Sequence, residues 1–148
     1  MRRKDARRIL EDAKRLLTGD SKGILGQAEL EDGTEVFFVD DDALLARREG
    51  VLFPTLVNPM VAVLPYAVVD MGAVPFVCNG ADVMAPGIKE VHGEFKENDL
   101  ITVKDITHGK SLAIGVAIVS SLEMREMGKG KAIRNIHHVG DKLWSAIS

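Results

Sequence analysis

The chain has one cysteine, no apolar run long enough to cross a bilayer, and none of the glycine fingerprints that cradle a dinucleotide. Each absence removes a class of protein. A lone cysteine, Cys78, closes no intramolecular disulfide, so nothing points to a secreted, oxidised scaffold. The longest apolar stretches, such as Leu112 to Val119, are far short of the ~20 residues a bilayer demands. The N-terminus, Met1-Arg2-Arg3-Lys4-Asp5, leads into mixed charge rather than an apolar segment. No signal peptide and no membrane partner are therefore expected, and the cytoplasm is the expected compartment. What is present is the composition of a folded globular chain, 46% hydrophobic and 28% charged. Its 148 residues suffice for one ordinary domain or two small ones. A chain of this size buries roughly 70% of its unfolded surface and needs no disulfide or metal to hold it.

Enzyme chemistry is also hard to find. Gly109-Lys110-Ser111 looks like the tail of a phosphate loop, but the glycine required five residues earlier is Lys104, and a strand rather than a helix should follow. It reads as a hairpin turn. Gly128-Lys129-Gly130 continues into Lys131-Ala132-Ile133 and misses the dinucleotide pattern. His92, His108, His137 and His138 show no metal-ligand spacing, and the adjacent pair should face opposite sides of a strand, one packed and one exposed. Burial would raise the pKa of Cys78 rather than activate it. The carboxylates Asp40-Asp41-Asp42, and Glu94 with Glu97, read as solvated loops. No residue volunteers as a catalyst, and no cofactor or metal is implied.

The net charge of −3 hides an asymmetry. Residues 1–20 carry seven Arg or Lys against four acids, residues 21–60 three against eight, and Lys129, Lys131 and Arg134 cluster near the end. Local basic patches on an acidic body suit a protein that grips one polyanion site, although they equally suit a solvated surface.

Apolar residues at Ala6, Ile9, Leu10, Ala13, Leu16 and Leu17 mark an amphipathic helix from Arg3 to Leu17 with a basic outer face, which could reach RNA or simply be solvated. The period then changes. Leu25, Ala28 and Leu30 lead into an Asp32-Gly33 hairpin turn, Glu35 to Val39 returns as a strand, Asp40-Asp41-Asp42 turns again, and Ala43 to Arg47 is a third strand or a helical turn. Phe53-Pro54-Thr55-Leu56 with Asn58-Pro59 reads as a connecting segment, and a domain boundary falls near Pro65. Beyond it, Tyr66 to Asp70, Ala81 to Met84, Val91 to Phe95, Leu100 to Asp105, Leu112 to Val119 and Ala132 to Val139 read as strands. A helix of up to two turns fits Gly72 to Asn79, with Pro75 in its first turn. A short helix fits Ser121 to Met127, with Ser120 or Ser121 as N-cap and Gly128 as C-cap. Such strands with two helical insertions suggest a small, partly open barrel.

One constellation stands out. Gly72-Ala73 and Gly80-Ala81 bracket the first short helix, and Pro86-Gly87 closes the strand that follows. Small residues at both helix edges allow close approach, either of a phosphate to backbone N–H groups or merely of helix to barrel. Spacing leaves both open.

Residues 66–148 resemble a PUA domain, the RNA-binding module of pseudouridine synthases and archaeosine transglycosylases. The resemblance rests on Val69-Asp70-Met71-Gly72-Ala73, Asn79-Gly80-Ala81, Ala85-Pro86-Gly87-Ile88, Asp99-Leu100-Ile101-Thr102-Val103 and Ala113-Ile114-Gly115-Val116-Ala117. Asn98-Asp99 stands where Gly-Asp is typical. With Phe53-Pro54-Thr55-Leu56 before it and Asn135-Ile136-His137-His138 and Leu143-Trp144 after, the chain resembles the malignant-T-cell-amplified-sequence family of translation factors. Its minimal form suggests an archaeal relative.

The resemblance implies an α+β fold: a small N-terminal α/β pre-PUA domain over residues 1–65, then a PUA-type pseudo-β-barrel with short helices over 66–148. It also implies RNA contact at Gly72, Ala73, Asn79, Gly80 and Met84, with Lys129, Lys131 and Arg134 on phosphates. Trp144 could stack on a base or seal the barrel. The expected function is a non-catalytic RNA-binding adaptor in translation that docks tRNA or small-subunit ribosomal RNA in initiation or recycling, with the ribosomal subunit and a translation factor as further partners. Two alternatives stay open: an accessory RNA-binding subunit for a tRNA- or rRNA-modifying enzyme, and a protein–protein interaction module with a vestigial RNA site. In the last case Phe37, Phe38 and Phe53 would line the interface unless they belong to the core.

Overall fold

A computed structural model describes residues 26–39 and 42–147. The expected Arg3–Leu17 helix with its basic face, Leu25, and Asp40-Asp41 of the second turn lie outside the described residues. The chain forms two compact units, Met1–Val63 with Ile147–Ser148, and Leu64–Ala146.

In the first unit, β1 (Gly26–Glu29), β2 (Glu35–Val39), β3 (Asp42–Arg48) and β4 (Val51–Pro54) form an antiparallel sheet in chain order. Asp32 closes the first hairpin by accepting the Thr34 N–H on Oδ1 at 3.0 Å. The stretch around Ala43–Arg47 is strand, not helical turn. Phe53 and Pro54, expected in a connecting segment, instead end β4. A proline is tolerated there because β4 is an edge strand, where a missing N–H interrupts no ladder. Phe37 and Phe53 are buried and Phe38 is partly so, which removes Phe37 and Phe53 from any exposed partner face.

The second unit runs β5 (Tyr66–Val69), α1 (Val74–Val77), β6 (Val83–Met84), β7 (Ile88–His92), β8 (Leu100–Asp105), β9 (Ser111–Ala117), α2 (Ser121–Glu126), β10 (Lys131–His138) and α3 (Lys142–Ile147). Its six strands are ordered β6-β10-β9-β8-β5-β7. Only β5 and β8 pair in parallel. That order dictates curvature. The two edge strands, β6 and β7, are consecutive in sequence and joined by a 3-10 turn of three residues, Ala85–Gly87. In a flat sheet five spacings of about 4.8 Å would separate them by about 24 Å, beyond the roughly 14 Å that four residue steps can reach. The sheet must curl until its edges approach. Inside the curl lie Ala67, Val69, Val77, Val83, Phe95, Ile101, Val103, Met124 and Ile133. The expected α+β class with a barrel-like sheet is what the structure has.

Several elements differ in extent from the sequence reading. Helix α1 is one turn, because Pro75 occupies its first turn and the chain leaves the helix at Cys78. Strand β7 starts at Ile88 and ends at His92 instead of covering Val91 to Phe95. Gly93 turns the chain there with φ +88°, and a Cβ on it would lie 2.9 Å from the Pro65 Cβ. Ser120 caps α2 as expected, accepting the Glu123 N–H, but the helix leaves through Met127 in an extended conformation rather than through Gly128. Asn98, in the place of a typical glycine, has φ +75°. Asparagine is among the few residues that tolerate this region, so the turn survives the exchange.

Glu94 lies in an exposed loop, as expected. It accepts hydrogen bonds from Ser121 at 3.0 Å and Arg125 at 3.1 Å, which hold it below the usual carboxylate range. The Gly109-Lys110-Ser111 stretch is the β8–β9 connection, clamped by Asp105, which takes the N–H groups of His108 and Lys110.

Candidate nucleic-acid interface

The backbone between β5 and β7 folds into a groove. It begins at Asp70, whose N–H donates to the Gly87 carbonyl at 3.0 Å and so ties the end of β5 to the start of β7. From there the chain turns through Met71-Gly72-Ala73 into α1, leaves at Asn79-Gly80 and returns as β6. The groove holds about 300 Å³ and is lined by Asp70, Gly72, Ala73, Phe76, Met84 and Asp82, with Val77, Val83, Pro86 and Gly87 completing the wall. Phe76 is 69% exposed and Met84 46%, so two large apolar side chains stand open to solvent. An exposed aromatic beside a groove is a stacking platform for an unpaired base.

Cations reach the rim by two routes. Lys131, paired opposite Met84 in the β10–β6 ladder, places its Nζ 3.3 Å from Asp82 Oδ2. The loop before it is fastened to the groove wall, because Ala85 donates its N–H to the Gly130 carbonyl at 2.9 Å. That loop carries Lys129, which is exposed. Lys89, on β7, lies 3.7 Å from Asp70 Oδ2.

The geometry changes the expected chemistry. The Ala73 N–H, offered by the sequence reading to a phosphate, is taken by Asp70 Oδ1 at 2.9 Å. A one-turn α1 provides little macrodipole, and two carboxylates face the space where the phosphate was expected. Phosphates suit the lysine rim, not the floor.

Of the residues singled out from sequence, Gly72, Ala73 and Met84 line the groove and Lys131 stands at its edge. Asn79 and Gly80 are exposed at the far end of α1. Gly80 has φ +91°, and a Cβ there would meet His138 Nε2 at 3.3 Å. Arg134 is half-buried on β10, between Ile133, which joins the core, and Asn135, which bonds toward α1. The register shift between Lys131 and Ile133 sets Ile133 opposite Val83 on the core face, so Arg134 alternates to the face that carries Lys131 and Met84. Trp144 is partly buried, and its neighbour Leu143 is the buried member of α3.

Sequence reasoning gave no role to Asp70, Asp82, Phe76, Lys89 or Asn135. Asp70 had a usable signal, an aspartate that can accept the N–H three residues on and so close a turn ahead of α1. Asn135 had none. Its side-chain amide donates to the carbonyls of Val77 and Ala81, both at 3.0 Å, and its N–H donates to Asp82 Oδ1 at 2.9 Å. Asn135 thus holds both ends of the α1–β6 connection from more than fifty residues away. Its own Oδ1 is buried without a hydrogen-bond partner.

Other reactive groups are accounted for structurally. Burial raises the Cys78 thiol pKa. His137 is fully buried against Asp141, at 2.8 Å, while His138 is half-buried rather than exposed. Among the described residues no group of His, Cys, Asp or Glu is placed to hold a metal, and no helix is long and apolar enough to cross a membrane.

The PUA domain family model matches residues 65–139. An uncharacterized protein of Methanocaldococcus jannaschii is 42% identical over 77% of this chain and 72% of its own length. Translation machinery-associated protein 20 of Saccharomyces cerevisiae is 29% identical over 78% of this chain and 68% of its own. Malignant T-cell-amplified sequence 1 of Rattus norvegicus is 34% identical over 74% of this chain and 64% of its own. Among solved structures, a hypothetical protein of Pyrococcus horikoshii superposes with a TM-score of 0.74 at 32% identity, covering 100% of this chain and 98% of that one. A chain of an H/ACA RNP bound to a substrate RNA superposes with a TM-score of 0.53 at 29% identity, over 66% of this chain and 31% of that one.

Proposed function

The chain belongs to the PUA domain family, an RNA-binding family, and from that premise we propose that it is a non-catalytic adaptor of translation that docks structured RNA. The observation that carries the reading is the open groove between α1 and β6 with the Gly128–Lys131 loop hydrogen-bonded along its edge. An unpaired nucleotide at an RNA end enters the groove, Phe76 offers its face to the base, and Lys129 and Lys131 meet the flanking phosphates. The translation role is supported by likeness to translation machinery-associated protein 20 and malignant T-cell-amplified sequence 1. In this reading tRNA or small-subunit ribosomal RNA is the ligand, residues 1–65 form the pre-PUA domain, and the site is cytoplasmic. The protein makes and breaks no bond.

A tRNA titration followed by fluorescence anisotropy at several salt concentrations tests it. Lysines that release counterions steepen the salt dependence by about one unit of log–log slope per phosphate contact, so K129A/K131A should weaken binding and flatten the slope by about two. An unchanged slope rejects these contacts.

A second reading is favoured by one observation, the likeness to a chain of the H/ACA particle bound to its substrate RNA. It keeps the RNA and makes the protein an accessory to an RNA-modifying enzyme. Affinity purification separates the two: ribosomal subunits and initiation factors support the first, a modifying enzyme the second.

A further inference from the structure

We infer that the Tyr66–His92 ring stack on the outer face of the six-stranded sheet, with Lys104 beside it, is a second contact for single-stranded RNA, separate from the groove. His92 offers its free ring face to a base, and Lys104 binds a neighbouring phosphate. This inference rests on the proposed RNA-docking role and gives the strand a second point of attachment on the same unit.

Three neighbouring strands, β7, β5 and β8, contribute one residue each. Ala67 and Val69 of β5 and Ile101 and Val103 of β8 belong to the core, and Val91 of β7 packs against it. Side chains alternate along a strand, so Tyr66, Lys104 and His92 all project from the outer face. The antiparallel β5–β7 register sets His92 directly opposite Tyr66. Their rings stack with centroids 4.5 Å apart and planes inclined by 15°. From β8, on the other side of β5, Lys104 places its Nζ 4.0 Å from the Tyr66 ring centroid. His92 and Lys104 thus approach the Tyr66 ring from opposite sides. Glu90, two residues back on β7, holds the imidazole by its edge, with Oε1 2.8 Å from His92 Nε2.

A cross-strand ring pair steadies any sheet. What marks this one is capacity left unused. Tyr66 covers one face of His92, yet 43% of the His92 side chain is exposed, and β7 is the last strand of the sheet. The open part is the ring face turned away from Tyr66. A base stacked there extends the row to base, His92, Tyr66, Lys104. Every base has a π face, and histidine serves such stacking as tyrosine does. Among the described residues Lys104 meets no carboxylate, whereas Arg47, Lys89, Arg125 and Lys131 each pair with one. Its ammonium keeps its donors for an anion while the Tyr66 ring holds it in place. Two strand spacings of about 4.8 Å separate β7 from β8, so the phosphate at Lys104 belongs to a nucleotide adjoining the stacked one. Strand β7 also links the two contacts. Lys89, paired with the groove's Asp70, lies three residue steps from His92, about 10 Å, so one strand of RNA can occupy both.

The test uses the whole chain and a fluorescein-labelled oligouridylate long enough to span both contacts, titrated by anisotropy at several salt concentrations. H92A removes the stacking face and should weaken binding about tenfold with the salt slope unchanged, since stacking releases no counterion. H92F restores a flat ring without the ring nitrogens and should bind about as tightly as the parent. K104M keeps the alkyl stem over Tyr66 but not the charge, so it should weaken binding and flatten the log–log slope by about one. K104M carries the test should H92A fail to fold. A loss in H92A that H92F does not restore overturns the stacking role, and an unchanged slope in K104M overturns the phosphate contact. Parent-like binding by both H92A and K104M, with K129A/K131A still weakened, overturns the second contact and leaves RNA docking at the groove standing. Failure of the parent chain to bind the oligouridylate overturns both readings and leaves the stack as a brace between strands.

Discussion

Four aspartates of the second unit divide into two pairs that use the same chemistry to opposite ends. Asp105 and Asp141 lie at turns, where their carboxylates are consumed by the chain itself. Asp105 is buried and takes the N–H groups of His108 and Lys110, closing the β8–β9 hairpin. Asp141 accepts from His138 N–H at 2.9 Å, Trp144 N–H at 2.7 Å and the His137 ring at 2.8 Å, which joins the end of β10 to α3. Asp70 and Asp82 also accept one backbone N–H each, but they line an open groove and face solvent with part of each carboxylate. A site is therefore marked less by the presence of a carboxylate than by bonding capacity left open in a place a ligand can reach.

Removing a consumed carboxylate should have the largest effect. D141A leaves three donors without their acceptor and uncaps α3. Loss of a charged hydrogen-bond acceptor beside buried groups costs about 3 kcal/mol, enough to lower Tm by about 10 °C in a chain this size. Differential scanning calorimetry measures it, and a shift under 2 °C would erase the distinction between the pairs.

The response to acid comes next. The amide of His108 holds the Asp105 carboxyl below its ordinary value, and that of Lys110 helps it offset burial. In Asp141, burial pushes the carboxyl up, but the hydrogen bond and charge of His137, with the Trp144 and His138 amides, outweigh it and leave the pKa lowered. A carboxyl depressed in the folded state binds its proton more readily when unfolded. Its stabilisation is thus complete above the unfolded value of about 3.9 and is lost as pH falls through the folded value. Thermal stability should stay level from neutrality down to about pH 5 and decline below about pH 4. In D105N that decline should be shallower, because one of its sources is gone.

The smallest stability change belongs to the groove. D70N and D82N keep an oxygen able to accept the Ala73 and Asn135 N–H groups, and each should stay within about 1 kcal/mol of the parent. Urea denaturation checks this. A loss comparable to that of D141A would mean that the groove carboxylates are structural after all.

How much of this was legible in sequence depended on how far apart the interacting residues lie. Runs rich in β-branched and apolar residues located β5, β8, β9 and the final strand within a residue or two, because strand propensity is local. Ser120 was legible as a cap for the same reason. Errors arose where a local signal met a tertiary demand. Gly128 looked like a helix stop, yet α2 ends one residue earlier in an extended conformation. Val91 to Phe95 looked like one strand, but the chain turns inside it at Gly93, whose positive φ and lack of a Cβ let it pass Pro65. The glycine-edged groove and Lys131 could be marked from the Gly-Ala spacing and the basic cluster. Its carboxylate floor could not, because Asp70 meets Lys89, and Asp82 meets Lys131 and Asn135, only after the sheet has curled.

The most direct measurement is a backbone-amide NMR titration of the whole chain with a short single-stranded oligoribonucleotide. The account predicts that the largest shifts fall on Gly72, Ala73, Phe76, Met84 and Lys131, with the Asp105–Lys110 hairpin silent. Shifts concentrated on that hairpin or on β1 to β4, with the groove unmoved, would contradict it.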